Sequence, residues 1–266
     1  MTIARLQPFL DFIITWGLCS SRLLGFASVS VFFSNQYITG VARNVVVLSL
    51  GLLLWPMLQA DCQNLLDGNF SWLIGIAMKE VLIGILLGWL SNCIFYIAQS
   101  VGFLIDTQRG ASMASMFDPL SNSQTSPLGD FLMKFLLTLF FVSGLFMGLM
   151  KMVYFSYQSL PFQLASNAFE HLDFRFFNFQ MGTDLLNKIL LLGGPVLFIL
   201  FLSEFGLGLV TRFAPQLNVF FLSMPIKSEL AMFFFILYLS YLTRYFTSHF
   251  QDNNCAAKFL QLLSNL

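Results

Sequence analysis

The sequence predicts an all-α, polytopic membrane protein built from long kinked helical hairpins. Of its 266 residues, 57% are hydrophobic and only 10% are charged, whereas a soluble domain carries about 25% charged residues. The 33 phenylalanines suit contact with lipid and contact between helices equally well. About six apolar segments are long enough, or nearly so, to cross a bilayer core, which takes about 20 helical residues.

In chain order, these segments are interrupted by charges in a way that indicates packing within an assembly. The segments are roughly 9–33, 41–59, 70–98, 129–153, 185–210 and 228–250. The charged residues that interrupt them include Arg22, Lys79, Glu80, Lys134, Lys188 and Glu204. A charge at the centre of a lone spanning helix costs about 2.5–3.5 kcal/mol, so such residues usually face protein or water. Arg22 and Lys134 are equally compatible with snorkelling to the headgroups, whereas Lys79 has an apolar run on both sides.

Glycine and proline spacing predicts close packing at two places and a kink at a third. Gly84–Gly88 and Gly144–Gly148 have the GxxxG spacing, which puts both glycines on one helix face and lets another backbone approach. The pattern is common by chance in membrane helices. Gly193-Gly194-Pro195 predicts a kink in the fifth segment, because proline removes a backbone donor.

Several classes of function are disfavoured by composition. The net charge is zero and no basic stripe is present, so nucleic acid is not an expected partner. Four scattered cysteines and two histidines make a poor set of metal ligands, and we expect no catalytic, cofactor-binding or metal residue. The N-terminus has Asp11 inside its apolar run and no small-residue cleavage site, so we expect the first helix to be retained. No GxxxxGK[ST] loop is present to bind a nucleotide phosphate.

The polar segment 106–128 contains the first strong motif. Asp106 and Arg109 are three residues apart, so on a helix they share a face and could pair. Gly110 permits a backbone turn, and Asp118-Pro119 favours a second one. Connections of this length in a compact helical protein are usually functional. The residues predict a structured loop held by an ion pair, and they predict no reaction.

A second motif lies between the last two apolar segments, at 211–227. Pro215 is expected to break the preceding helix, and polar side chains after it can form hydrogen bonds with backbone groups that would otherwise be unpaired. A polar, proline-bounded turn between two apolar helices reverses a helical hairpin. The candidates for this turn and for partner contact are Arg212, Pro215, Gln216, Asn218, Pro225 and Lys227.

Both motifs resemble the signature regions of the T-type export-gate subunits of type III secretion, the FliR/SctT/SpaR/YscT family. The matching residues are IDTQRGAS followed by FDP, and RFAPQLNVF followed by SMPIK. LSEFGLGL at 202–209 resembles the segment before the second motif, and Ser156-Tyr157 followed by Pro161 resembles another landmark. The resemblance covers nearly the whole chain, so 1–266 is expected to form a single domain. The QRG form favours the injectisome branch over the flagellar branch.

The resemblance implies a subunit of the gate through which unfolded substrates are exported across the bacterial inner membrane. R-type and S-type subunits would complete its packing in a hetero-oligomer, and the U-type switch protein would associate with the gate. The family's loop after the first motif is thought to help plug the closed pore, which places 111–127 in the lumen. The plug candidates are Gly110, Ser112, Met113, Met116, Phe117, Asp118 and Pro119. The tail 251–266 matches no landmark of the family.

Two other classes stay open on the residues alone. Asp106, Glu204 and Glu80 could be the intramembrane carboxylates of a proton-coupled transporter, although the sequence shows no internal repeat of hydropathy. Ser112 lies in a G-x-S pattern like that of rhomboid intramembrane proteases, with His249 at the end of the sixth segment. Against this, Ser112 precedes a polar loop and His249 sits at a polar edge, whereas a catalytic dyad needs contact between the two side chains.

Overall fold

The computed structural model describes residues 3–34, 36–63, 70–111, 126–160, 162, 174–214, 216 and 219–251. Within these ranges the chain forms seven α-helices and a 3₁₀ turn at Val31–Phe33, and it forms no strand. The helices are α1 (Ile3–Val29), α2 (Gly40–Gln63), α3 (Phe70–Gln108), α4 (Pro127–Val142), α5 (Leu145–Ser159), α6 (Phe174–Phe213) and α7 (Val219–Gln251). The predicted all-α class is confirmed.

Several helices are long and apolar enough to cross a membrane. In the described part of the chain, four helices contain such a span: Asp11–Val29, Ser71–Gln108, Gly182–Phe213 and Phe221–Ser248. Helices α4 and α5 add a fifth if they are counted as one broken span. The sequence suggested six segments, and the difference lies in α2, whose apolar part, Gly40–Pro56, is shorter than the 18 residues required of a span. The protein is a polytopic helical membrane protein.

The helices extend further into the polar connections than the sequence suggested. Helix α3 continues through Asp106 to Gln108, because the first residue after the apolar run that favours a turn is Gly110. Helix α6 begins at Phe174, 11 residues before the apolar segment 185–210 from which it was predicted. Helix α6 also passes through Pro195 without ending, which apolar helices tolerate where neighbouring groups serve the freed carbonyl. The helix is thus continuous through Gly193-Gly194-Pro195, and the kink expected there stays a prediction.

The chain divides into two compact units. Unit 1 comprises Met1–Asn92, Gly144–Asp173 and Asn253–Leu266, and unit 2 comprises Cys93–Ser143 and Phe174–Asp252. Helix α3 contributes its first part to unit 1 and its last part to unit 2. That the whole chain acts as a single domain stays a prediction.

In unit 1, α1 packs along α2 and tryptophans join the two helices. The indole N–H of Trp16 donates to the carbonyl of Leu48 at 3.2 Å, and that of Trp55 donates to Thr15 Oγ1 at 3.1 Å. The ring of Trp55 also meets the edge of Phe12, with centroids 5.0 Å apart. Both indole N–H groups of these half-buried tryptophans therefore have a hydrogen-bond partner within the contact.

In unit 2, α6 packs on α7 and α4 contacts α7. The buried residues of α6 and α7 follow helical spacing: Leu192, Val196, Leu200, Ala231, Phe235, Leu242 and Phe246. Phe131 of α4 meets Phe235 of α7 with ring centroids 6.2 Å apart. Burial is uneven, since 56% of the candidate span in α3 is buried by the chain, against 22% in α6 and 11% in α7. The α6–α7 hairpin thus leaves most of its apolar surface uncovered.

Candidate functional site

The first sequence motif forms an anchor at the end of α3. Asp106 is 3% exposed, and its Oδ1 lies 2.8 Å from Arg109 Nη2. Its other oxygen, Oδ2, accepts hydrogen bonds from the Ser126 hydroxyl at 2.6 Å and from the Leu128 N–H at 2.9 Å. One buried carboxylate therefore holds both the end of α3 and the start of α4. We call these four residues, Asp106, Arg109, Ser126 and Leu128, the loop anchor.

The start of α4 is built to receive this carboxylate. Ser126 is the N-cap of α4, and its Oγ accepts from the N–H of Gly129 at 3.0 Å. Pro127 follows at the start of the helix, and Asp130 lies in the first turn, the residue types that favour a helix N-terminus. A negative charge at this position is stabilised by the unpaired N–H groups of the first turn. The Ser-Pro start signal was readable in the sequence, but its link to Asp106 was not predicted.

Two glycines let α3 and α4 approach closely beside the anchor. A Cβ added at Gly102 would lie 2.5 Å from Gly129 Cα, and one added at Gly129 would lie 2.9 Å from the carbonyl oxygen of Gln99. Neither distance leaves room for a larger side chain. This contact brings the Leu128 N–H within reach of Asp106.

Residues between the two halves of the anchor are described only at the ends. Gly110 has φ 88°, a left-handed conformation that favours glycine. The other plug candidates, Ser112, Met113, Met116, Phe117, Asp118 and Pro119, lie outside the described residues. Their role as a plug stays a prediction.

Unit 1 contains a second charged site, which the sequence showed only as separate charges. Arg22 and Glu80 are both fully buried, and Arg22 Nε lies 2.7 Å from Glu80 Oε2. The remaining nitrogens of Arg22 donate to the Ser156 hydroxyl at 3.0 Å and to the Leu160 carbonyl at 2.9 Å. The guanidinium also lies 4.1 Å from the ring centroid of Tyr157. The buried cation is thus paired and hydrogen-bonded on every side, as burial of a charge requires.

Lys79 and Tyr157 extend this buried ionic cluster. Lys79 Nζ lies 3.3 Å from Glu80 Oε1 and donates to the carbonyl of Phe162 at 3.0 Å. The hydroxyl of Tyr157 donates to the carbonyl of Cys19 at 2.7 Å. The cluster, which comprises Arg22, Lys79, Glu80, Ser156 and Tyr157, joins α1, α3 and α5 and holds the turn that follows α5.

The cluster is buried because α1 and α3 cross at glycines. A Cβ at Gly84 would collide with the carbonyl oxygen of Arg22, and one at Gly25 would collide with that of Val81. At Gly88 the added Cβ would lie 2.8 Å from the carbonyl oxygen of Phe26. The first predicted GxxxG pair is therefore a helix crossing inside the chain, at which only glycine fits.

The second GxxxG pair is different. Gly144 is the N-cap of α5 and has φ 68°. A Cβ added at Gly148 would meet nothing within 4 Å. Because Gly144 starts a new helix, the two glycines do not form a packing face within the described chain, and the packing predicted from their spacing is not present there.

A buried amide closes the end of α1. Asn92 is fully buried, its Nδ2 donates to the carbonyl of Val29 at 2.7 Å, and its Oδ1 accepts from the N–H of Val31 at 3.0 Å. These two bonds satisfy backbone groups that a helix end leaves unpaired. Sequence reasoning missed Asn92, and its only signal was an amide in an otherwise charge-free apolar run.

The second sequence motif is only partly described. Arg212 lies exposed in the last turn of α6, and Gln216 is exposed in the connection, whereas Pro215 and Asn218 fall outside the described residues. Pro225 and Lys227 lie inside α7 instead of in the turn, which corrects their expected position. The helix starts as early as Val219 because a run of apolar residues precedes the proline. Partner contact by these residues stays a prediction.

Lys227 joins the two helices of the hairpin. Its Nζ lies 2.9 Å from Glu204 Oε1, and the side chain of Glu204 is 61% exposed. Lys79, Glu80 and Glu204, three of the charges that lie inside the predicted apolar segments, are therefore in ion pairs.

Residues 13–253 match the model of the bacterial export proteins, family 1. The chain belongs to this family. It is 37% identical over 227 residues to the Yop proteins translocation protein T of Yersinia pestis, covering 85% of this chain and 86% of that protein. It is 31% identical over 230 residues to the surface presentation of antigens protein SpaR of Salmonella typhimurium, covering 84% of each. It is 28% identical over 223 residues to the flagellar biosynthetic protein FliR of Bacillus subtilis, covering 82% of this chain and 85% of that protein.

The family match includes both charged sites. Every residue of the loop anchor and of the buried ionic cluster lies between 13 and 253. Identity is higher to the Yersinia and Salmonella proteins than to the flagellar protein. Within the bacterial export protein family, this chain is therefore closer to the injectisome branch than to the flagellar branch.

Proposed function

We propose that this chain is the T-type subunit of a type III secretion export gate in the bacterial inner membrane. The observation that carries the proposal is the 37% identity to translocation protein T of Yersinia pestis across 85% of the chain. In this role the protein forms part of the conduit for unfolded export substrates. No covalent chemistry belongs to the proposal.

The uncovered surface of the hairpin supports a role in a larger assembly. Only 22% of the candidate span in α6 and 11% of that in α7 are buried by the chain itself. The proposed partners are R-type and S-type gate subunits, with the U-type switch protein associating with the completed gate. In such an assembly, neighbouring helices would cover surface that this chain leaves open.

The loop anchor supports a structural role for the first motif. Asp106 binds residues on both sides of segment 112–125, so the two ends of that segment are held at one place. We propose that residues 111–127 obstruct the lumen of the closed gate and move aside for a passing chain. Fixed ends let such a segment be displaced without disturbing the helices that carry it.

The ion pairs favour a gate over a proton-coupled transporter. Each of the three carboxylates that could serve a proton relay is matched with a cation: Glu80 with Arg22, Asp106 with Arg109, and Glu204 with Lys227. Such pairing suits a fixed structural contact. If the protein is a proton-coupled transporter, Glu204→Gln should abolish its function. If it is a gate subunit, the substitution should be tolerated.

Co-expression tests the assembly. We expect the chain to be degraded or to aggregate when expressed alone, and to be recovered in a complex when its R-type partner is co-expressed. The measurement is the amount of monodisperse protein in mild detergent. A stable monomer obtained without partners would contradict the proposed function.

Leakage tests the plug. Deletion of residues 121–125, or replacement of Met113 and Met116 by Gly, should raise small-solute leakage through the assembled complex and leave its subunit composition unchanged. Leakage at the wild-type level in a complete complex would make this segment a simple connection.

A further inference from the structure

Helix α7 carries an exposed carboxylate that has no counter-charge among the described side chains. Glu229 is exposed and lies within the candidate membrane span Phe221–Ser248. At a rise of about 1.5 Å per residue, it lies about 12 Å along the helix from Phe221. Among the side chains that the structure describes, none forms an ion pair or hydrogen bond with it.

Helix α7 itself supplies no cation to Glu229. The positions three and four residues away, which are its neighbours on a helix surface, are Pro225, Ile226, Met232 and Phe233. Lys227 is two residues away and already pairs with Glu204 at 2.9 Å. Arg244 is about 22 Å further along the helix, beyond the reach of a direct ion pair.

The surface around Glu229 is otherwise mainly apolar. The side of α7 that packs within unit 2 is marked by its buried residues Ala231, Phe235, Leu242 and Phe246. Another side of the helix, which we call the outward face, carries the exposed residues Leu222, Pro225, Glu229, Phe233, Ile236 and Ser240, and exposed Arg244 follows one turn beyond Ser240. These positions recur every three or four residues, so they form one stripe along the helix. Phe233 is 58% exposed and Ile236 is 68% exposed.

Lipid alone is a poor environment for this stripe. An ionised side chain within a span usually faces protein or water and pairs with another group. The long stems that let lysine and arginine reach the headgroups are absent from glutamate. Water is an equally poor environment for the stripe, because large apolar side chains lie on both sides of Glu229. An apolar stripe with one negative charge is complementary to an apolar helix that carries one positive charge.

We infer that the outward face of α7 binds an apolar helix of a neighbouring export-gate subunit, and that a lysine or arginine of that helix pairs with Glu229. The inference rests on the proposed function and adds to it the chemistry of the partner surface. The counter-charge comes from another subunit, because no cation among the described residues pairs with Glu229. Glu229 then fixes the depth at which the two helices meet, since a displaced partner leaves two unpaired charges.

Substitutions at Glu229 test the pairing in the assembled complex. The tagged chain is co-expressed with its R-type and S-type partners, and the co-purified amount of each partner is measured in mild detergent. We expect a several-fold loss with Glu229→Gln, a larger loss with Glu229→Leu, and at least a tenfold loss with Glu229→Lys. Ser240→Leu is the matched control, because it makes the same outward face more apolar without removing a charge, and we expect it to retain the partners.

A cross-link identifies the partner helix. Replacement of Phe233 by the photo-reactive p-benzoylphenylalanine keeps an aromatic side chain one turn from Glu229. We expect irradiation to link it to an apolar helix of a gate subunit, with a lysine or arginine within about one turn of the linked residue. Changing that cation to glutamate should then restore co-purification of the Glu229→Lys variant.

Three results would overturn the inference. Full co-purification of both partners with Glu229→Leu would indicate that the carboxylate has no counter-charge. A cross-link to lipid alone would show a lipid-facing stripe, and a linked helix without a nearby cation would remove the pairing. In each case the complex has formed, so the proposed function stands. If R-type and S-type subunits fail to co-purify even with the wild-type chain, the proposed function fails as well.

Discussion

Two ion pairs in this chain join helices with similar residue types but in different surroundings. Arg22 and Glu80 in unit 1 are both fully buried, whereas Glu204 in the α6–α7 hairpin is 61% exposed and pairs with Lys227. Arg22 also binds Ser156 and the turn after α5, so its pair is one part of a cluster. The Glu204–Lys227 pair has no such additional contacts among the described residues.

This difference indicates that burial, and not the identity of the charges, decides how much each ion pair contributes to stability. Removing one member of a buried pair leaves an uncompensated charge, which costs about 3–5 kcal/mol. An exposed pair contributes about 0.2–1 kcal/mol, because water and salt screen it. We therefore expect the stability of unit 1 to depend on its ion pair. We expect the ion pair of the hairpin to contribute little to stability.

The largest expected effect is at Arg22. Arg22→Met should lower the free energy of unfolding by about 3–5 kcal/mol, because Glu80 is left buried without its main partner. The double change Arg22→Met with Glu80→Gln should recover part of this loss. The measurement is detergent-induced unfolding of the chain isolated from its co-expressed complex, followed by circular dichroism. A double variant no more stable than the single one would show that the pairing is not what stabilises unit 1.

The next effect is at the loop anchor, which is intermediate in burial. Arg109→Ala should lower the free energy of unfolding by about 1.5–3 kcal/mol, the usual contribution of a hydrogen bond to a charged group. Asp106 keeps its bonds to Ser126 and Leu128 in this variant, which limits the loss. Adding Asp106→Asn should restore part of the stability, measured by the same unfolding experiment. If the double change gives no recovery, the ion pair does not hold the loop.

The glycine crossing provides a third comparison, with a control inside the same chain. Gly84→Ala should destabilise unit 1 by about 1–3 kcal/mol, because the added methyl collides with the backbone of α1 and must push the helices apart. Gly148→Ala is the matched control, since a Cβ there meets nothing within 4 Å. Both variants are compared by their unfolding midpoints. Equal midpoints would mean that the crossing at Gly84 does not constrain the fold.

The smallest effect is expected at the exposed pair. Glu204→Gln should change the free energy of unfolding by about 0.2–1 kcal/mol, because the carboxylate of Glu204 is 61% exposed and water screens its contact with Lys227. Secretion should also be retained, which separates a gate subunit from a proton-coupled transporter. Loss of secretion by a stable, fully assembled Glu204→Gln complex would favour the transporter.

Part of this architecture could be read from the sequence because it depends on local patterns. The scarcity of charge predicted the membrane class, and long, mainly apolar segments predicted the helices α1, α3, α6 and α7. The spacing of Asp106 and Arg109 put them on one helix face, which is a property of the helix alone. Helix ends were less accurate, because α3 and α7 extend through polar residues and a proline that sequence rules assign to turns.

The sequence by itself determined which residues are unusual, and the tertiary structure decided what they contact. Arg22 and Glu80 are 58 residues apart, and Arg22 and Ser156 are 134 apart, so no local spacing could pair them. The same holds for Asp106 and Ser126, which meet only where Gly102 and Gly129 let α3 and α4 touch. The two GxxxG patterns look alike in the sequence. Gly84–Gly88 lies where α3 crosses the backbone of α1, whereas Gly144 is the start of α5. Contacts between distant segments depend on how helices pack, and packing is a property of the folded chain.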